Sequence, residues 1–370
     1  MIFAPKMKSF WIGSLSLLLL APACGLLKKD AVPVIPEYAK RTPAEGEKHF
    51  KSLVQLSYGG DNAEAYWSPD GKWLTFQRTN PAKQITCDQI FTAPWQALAD
   101  SNYMPARVSN GLGRTTCSYF MPGGKRVLYA STHEGGHSCP APPPSGGAYI
   151  WPIYETYDIY IADLDGKNVK KLTDAPGYDA EATVSPDGKK IVFTSTRSGD
   201  LELWVMDTDG TNLKQVTTEL GYDGGAFFSA DSRKLVFRSS RPKTEAEVSR
   251  YKELLAKGQV EPTNMEIYTV NVDGTDLRQV TKLGKANWAP YFHPSGQKIL
   301  FSSNHHSARG YEFQLYMINV DGSGLEKITT ESNFNAFPMF SPDGKRLVFS
   351  SNRNNGGTRA TNLFVAEWAD

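Results

Sequence analysis

The chain has 370 residues, 40% of them hydrophobic and 12% aromatic, and its 40 Lys plus Arg against 39 Asp plus Glu leave a net charge of +1. That near-neutral balance supplies no long-range field for nucleic acid or an anionic membrane surface, which disfavours polyanion partners. The length exceeds an ordinary single domain, yet a toroidal repeat can hold it as one unit.

Residues 1–23 read as an export signal: Lys6 and Lys8 precede an apolar run over 10–20, and Ala21-Pro22-Ala23 stands before Cys24. The run is too short to span a bilayer comfortably. Ala-x-Ala suits ordinary signal peptidase, whereas a small residue directly before a cysteine suits lipoprotein processing with Cys24 as the lipidated residue. Pro22, and the lack of Leu three positions before Cys24, depart from the usual lipobox. The polar, proline-containing stretch over 28–43 favours the lipoprotein reading, with 24–51 as a tether and the lipid as the sole membrane attachment. Export permits a disulfide among Cys87, Cys117 and Cys139, and all three pairings are open.

From residue 52 onward a phrase recurs. Its clearest copies are Ser68-Pro69-Asp70-Gly71-Lys72, Ser185-Pro186-Asp187-Gly188-Lys189 and Ser341-Pro342-Asp343-Gly344-Lys345, with worn copies at 121–125, 229–233 and 293–297. Each is followed by a stretch rich in β-branched and aromatic residues. In the copy at 181–218, strands are expected over 181–185, 189–195, 201–207 and 213–218, with Asp209-Gly210 turning the third into the fourth. Four antiparallel strands per copy make a propeller blade. Fourth strands are expected at 106–109, 169–173, 213–217, 277–281 and 325–329, but the sixth copy stops after its third strand at 363–368. Residues 53–57 carry the missing pattern, so the expected fold is all-β: a six-bladed propeller over 52–370, closed by an N-terminal strand that completes the C-terminal blade.

These repeats, the Leu-Thr strand, the Ser-Pro-Asp-Gly-Lys turn, the Ile-Val-Phe-Thr-Ser strand and the Asp-x-Asp-Gly turn, resemble those of TolB-like six-bladed periplasmic propellers over essentially 53–368. The segment 24–51 is too short for the separate α/β domain of TolB, so the contacts of that domain are not implied. The resemblance implies a non-enzymatic, exported binding or scaffold module of the cell envelope, periplasmic or outer-membrane-anchored. Its expected partner is an envelope protein or a peptidoglycan-associated lipoprotein; a monomer without cofactor is expected.

The turns of one face are short and uniform, and the insertions, 133–156, 242–264 and a shorter one between 304 and 313, fall on the other. Variation on one face of a rigid scaffold is where binding loops sit. The second insertion carries a helix signal: Thr244 and Glu247 as a capping box, Val248, Tyr251, Leu254 and Leu255 on one stripe, and Gly258 as the stop, read as a lid. Two columns of the repeat point to this face. One places Asn62, Thr115, Asp179, Asp223, Asn287 and Asn335 as a polar ring at the channel mouth, with Glu64 and Glu181 pointing into or near the channel as candidates for a cation or an amine. The other places Asn80, His133, Arg197, Arg241, His305 and Arg353 as a mostly basic outer ring. The acidic groups also allow a second function, a small-ligand or glycan-binding and hydrolytic propeller using paired carboxylates.

Other strings are discounted. His133-Glu134-Gly135-Gly136-His137 matches HExxH, but two glycines and nearby prolines deny it the helix that zinc peptidases need, leaving His133 and His137 as weak candidates for a loop metal site. The Asp-x-Asp-Gly turns lack the further donors of a calcium loop. No Gly-x-Ser-x-Gly elbow, P-loop or dinucleotide fingerprint occurs.

Overall fold

A computed structural model describes residues 32–144 and 147–370, with Val34–Asp370 forming one compact unit. The expected export signal and Cys24 lie outside the described residues. Six antiparallel sheets form the blades. Blade 1 comprises Asp61–Trp67, Trp73–Asn80, Ile85–Pro94 and Ala106–Arg107, and blades 2 to 5 repeat the order. Blade 6 takes Asn335–Phe340, Arg346–Ser351 and Asn362–Trp368 from the C-terminal end, then Phe50–Gln55 and Lys40–Arg41 from the N-terminal end. Leu53 stands opposite Ala366 and Val54 opposite Val365, which closes the ring as expected.

The recurrent phrase has a local cause. In the turn of blade 1, Ser68 Oγ donates to Asp70 Oδ1 at 2.6 Å, Asp70 Oδ1 accepts from Lys72 N, and Ser68 Oγ accepts from Trp73 N. Ser185 with Asp187 and Ser341 with Asp343 repeat the bonds, so each turn satisfies its own amides before any tertiary contact forms. The Asp-x-Asp-Gly turns do likewise: Asp165, Asp209, Asp273 and Asp321 each accept from the amide two residues on.

Fourth strands are shorter than expected, with only two residues in the ladder, as in Lys214–Gln215. The reason is a bulge: the amides of Val216 and Thr217 both reach the Leu203 carbonyl, and Thr217 Oγ1 accepts the Leu203 amide at 2.9 Å. A side-chain hydroxyl thus continues the ladder, which explains the conserved form of the fourth-strand pattern within this chain. Ser57 Oγ accepts the Leu363 amide in the same way at 2.8 Å, so the N-terminal strand occupies the register of a fourth strand.

The tether reading of 24–51 needs correction within the described residues. Lys40–Arg41 pairs with Leu53 and Val54 as a fifth strand, and Glu47 is buried against Arg353 of blade 6. Polar composition suggested a free linker; a fully paired carboxylate and an open strand edge hold the segment down instead.

Between blades the cores are sheet-on-sheet packings of buried apolar side chains; Leu300, Leu315, Phe340, Leu347, Phe349 and Phe364 form one of them. On the axis, rings from four blades meet: Tyr66 lies 5.8 Å from Tyr119 and 5.5 Å from Phe227, and Phe227 lies 5.3 Å from Tyr291. This plug divides the channel. Tyr119 and Tyr291 line a cavity of about 530 Å³ ringed by turn prolines including Pro69, Pro122, Pro186, Pro294 and Pro342. Tyr66 and Phe227 floor a cavity of about 360 Å³ on the opposite, insertion-bearing side.

Two insertions build a roof there. Trp151–Pro152 of the first pairs with Gln259–Val260 of the second as an antiparallel ribbon. The helix forms over Glu245–Leu255 with the expected capping box, and its buried Tyr251, with Leu255 beside it, packs into the ribbon's cluster with Ile153, Tyr157 and Val260. Cys139 of the first insertion is bonded to Cys87 of blade 1, 52 residues away, while Cys117 is a free thiol.

Candidate functional site

The two expected rings do not stand as free groups around the mouth. In blades 3, 4 and 6 they are bonded to each other, and in the other blades their members are held by neighbouring groups. Arg197 donates to Asp179 at 2.7 Å, Arg241 grips Asp223 with two bonds of 2.6 and 2.8 Å, and Arg353 donates to Asn335 at 3.0 Å. In blade 5 the histidine is one hydroxyl removed: Ser303 Oγ donates to Asn287 at 2.6 Å and contacts His305 Nδ1 at 2.9 Å. His133 contacts Ser131 Oγ similarly at 2.8 Å, while Thr115 donates to the Asp88 carbonyl at 2.9 Å. Asn62 is fully buried and accepts from Arg78 at 2.7 Å, so Arg78 takes the place expected for Asn80, whose amide donates to the Gly59 carbonyl.

Each basic group also lies on an aromatic ring of its own blade. Arg197 is 5.2 Å from the Phe193 centroid, Arg241 5.4 Å from Tyr268 and Arg353 5.2 Å from Phe349, while the rings of His133 and His305 lie 4.5 Å from Tyr160 and 4.6 Å from Tyr316. These columns therefore brace the strands. The HExxH string runs through a turn rather than a helix, and its Glu134 is ion-paired with Lys171.

Glu64 and Glu181 do line the cavity, and a third column explains why. The residue two positions after the polar column of every inner strand sits at a bulge with positive φ: Glu64 at 52°, Cys117 at 49°, Glu181 at 59°, Gly225 at 61°, Ala289 at 46° and Phe337 at 57°. All six line the 360 Å³ cavity. The bulge shifts the strand register and turns these side chains onto the axis. Sequence reasoning missed four of the six, although the spacing of two residues after the polar column would have found them.

Glu181 is saturated. It is ion-paired with Arg238 and accepts from Tyr222 at 2.9 Å, Thr194 at 2.8 Å and the Gly225 amide at 3.0 Å. Arg238 reaches it because blade 4 has glycine at the bulge: a Cβ on Gly225 would lie 2.0 Å from Arg238 Nη1, and one on Gly224 2.3 Å from Glu181 Oε2. Arg238 also lies 5.1 Å from the Trp151 ring and 4.9 Å from Tyr222.

Glu64 has no such cation. Its Oε2 is shut off from solvent and lacks a hydrogen-bond partner. Burial pushes its carboxyl up to about 7, and the nearby charges of Glu181 and Asp88 act in the same direction, against the Cys117 hydrogen bond and the Arg238 charge. Burial likewise raises the Cys117 thiol well above its usual range, so it stays protonated.

The sign of the stability effect follows. A carboxyl raised in the folded state contributes fully below its unfolded pKa, and that contribution is lost as pH rises from about 4.5 through about 7. Glu64→Gln removes the loss. The variant is expected to match the parent near pH 4.5 and to exceed it by about 2 kcal/mol at pH 8.5, after discounting for partial solvation. Paired urea titrations at the two pH values measure this; a constant difference would refute it.

Among known proteins, the family model described as the TolB beta propeller domain matches residues 138–259 and 253–365. A 42-residue stretch is 48% identical to the Tol-Pal system protein TolB of Bordetella pertussis, which is 11% of this chain and 10% of that protein. The chain thus spans about a tenth of the length of the curated relatives it matches. The solved structure of the TolB-like protein of Agrobacterium tumefaciens superposes with a TM-score of 0.55 at 20% identity, over 84% of this chain and 91% of that one. TolB from Acinetobacter baumannii gives 0.51 at 17%, covering 84% and 64%. An oligogalacturonate lyase in complex with manganese gives 0.50 at 15%, covering 86% and 80%. At these identities the likeness is one of fold alone.

Proposed function

The chain belongs to the TolB β-propeller family, and from that membership we propose that it is a non-enzymatic binding propeller on which an envelope protein docks through the insertion-bearing face. The disulfide and the family point to an extracytoplasmic location. The finer reading, a monomer anchored by lipid on Cys24 and engaging a peptidoglycan-associated lipoprotein, is part of the proposal.

One observation carries it: the insertions of two blades are joined into a single roof by a ribbon and a helix on one face, and a disulfide fastens the first insertion to blade 1. Loops left independent would lose their order on a mobile surface. Cross-bracing keeps a large surface in one shape before a partner arrives, which lowers the entropic cost of association. The non-enzymatic reading is supported by the state of the carboxylates. Asp179 and Asp223 are ion-paired within the blades and Glu181 is saturated, which leaves no second free carboxyl beside Glu64 to share acid–base work.

The test is affinity capture from envelope extract, using the full chain and a variant in which 242–258 is replaced by a short Gly-Ser linker. The partner retained by the full chain should be lost from the variant while circular dichroism of the sheets is unchanged. Equal capture by both would remove this face as the docking site.

A further inference from the structure

The roofed end of the channel has a property that docking on its outer surface does not use. Five charged side chains line the 360 Å³ cavity: Glu64, Asp88, Glu181, Arg114 and Arg238. Arg114 binds Asp88 at 2.6 Å and Arg238 binds Glu181. Glu64 alone is left without a cation, and its unpartnered Oε2 belongs to a side chain that faces the cavity. Apart from Cys117 and the neutral polar Gln77, Thr116 and Thr183, the rest of the lining is mainly aromatic or apolar, including Tyr66, Phe227, Trp288, Ala289 and Phe337. The rim is reachable, since Tyr149 is 55% exposed.

A lone carboxylate in such a place is destabilising unless a positive charge joins it. The same wall already shows how a desolvated cation is accommodated, because Arg238 sits between its carboxylate and the rings of Trp151 and Tyr222. A bare metal ion is poorly matched: among the described residues no group of three or more His, Cys, Asp or Glu is placed to hold one. The volume suits a compact molecule. We propose that the roofed half of the channel is a binding site for a small organic cation, its ammonium group on Glu64 and its apolar body against Tyr66, Trp288 and Phe337.

The groups facing Glu64 are Cys117 from blade 2, Glu181 from blade 3, Arg238 from blade 4, and Asp88 and Tyr66 from its own blade. With Cys117 and Tyr66 protonated and the two pairs neutralised, Glu64 is the group whose titration the ligand senses. A cation that binds only the carboxylate form should bind about 30-fold more tightly at pH 8.5 than at pH 5.5, because the carboxyl titrates at about 7.

The full chain is titrated calorimetrically with phenethylamine, benzyltrimethylammonium, neutral 2-phenylethanol and calcium chloride. At pH 8.5 at least one of the two cations should saturate, with the alcohol at least about tenfold weaker. Glu64→Gln should weaken that cation at least about tenfold, abolish its pH dependence and leave the alcohol unchanged. Ala289→Phe copies the residue that the next blade carries at the same bulge, and should block every organic ligand by filling the cavity. Saturation by neither cation, equal affinity for the alcohol, calcium binding in place of the organic cations, or unchanged affinity in Glu64→Gln would each overturn the proposal. These outcomes are independent of whether a protein partner is captured by the roof.

Discussion

Replacing Arg353 by Met is expected to cost about 3–5 kcal/mol of folding stability at neutral pH, the largest effect of any single substitution considered for this chain. The side chains of Arg353 and Glu47 are 1% and 0% exposed and are joined by bonds of 2.8 and 3.1 Å across 306 residues. Glu47 also accepts from Ala44 N at 3.0 Å and Thr330 N at 3.2 Å, so one carboxylate ties the N-terminal segment to blades 5 and 6. Methionine fills much of the space but leaves the carboxylate buried without its cation.

The pH dependence gives a second reading of the same change. Burial alone would raise the Glu47 carboxyl, but the hydrogen bonds and charge of Arg353, with the amides of Ala44 and Thr330, outweigh it and hold the carboxyl below its ordinary range. A carboxyl depressed in the folded state contributes stability above its unfolded pKa, which is lost as pH falls through the folded value. The deficit of Arg353→Met should therefore be greatest near neutrality and narrow as pH falls and the Glu47 carboxyl takes up its proton. Urea unfolding at several pH values measures both terms. Adding Glu47→Gln to the variant should restore part of the loss; a deficit under about 1 kcal/mol at pH 7.5 would show that the ring does not depend on this clasp.

Loss of the Cys87–Cys139 bond ranks second, at about 2–4 kcal/mol. The bond closes a loop of 52 residues that contains blade 2's first two strands and the start of its insertion, so the unfolded chain gains considerable freedom when it is absent. The double substitution Cys87→Ser with Cys139→Ser should lower the urea midpoint, and adding dithiothreitol to the parent should reproduce the drop. Cys117→Ser should keep full sensitivity to the reductant, because Cys117 is not in the bond. Equal midpoints for oxidised and reduced parent would remove the staple from the account of the roof.

Much of the fold was legible because each repeat carries its own local instructions. Ser68 and Asp70 close their turn with bonds spanning five residues, and the hydroxyl of Thr217 ends a fourth strand within its own hairpin. The same logic extended to the ring closure, where Ser57 repeats the fourth-strand signal at the wrong end of the chain and finds Leu363. The helix at Glu245–Leu255 was equally local, set by Thr244 and Glu247.

The candidate site was legible only in outline. The polar and basic columns were visible as columns, but their mutual pairing, as in Arg241 with Asp223, depends on the sheet register bringing residues 18 apart into one plane. Glu64 and Glu181 both line the cavity, yet nothing in their sequence neighbourhood distinguishes one as saturated and the other as unpartnered. That difference arises from Gly225 in another blade, which leaves room for Arg238 beside Glu181.

The sequence by itself therefore determined the blade, the number of blades and the strand that seals the ring, since these rest on short-range hydrogen bonds and alternating apolar residues repeated along the chain. Only the tertiary structure decided which cysteines pair, that two insertions meet as one roof, that the N-terminal segment is clasped by Arg353, and that among the described residues a single carboxyl is left without a cation at the axis. Those outcomes join residues from different blades or opposite ends of the chain, and such contacts have no periodic signature in the sequence because each occurs once.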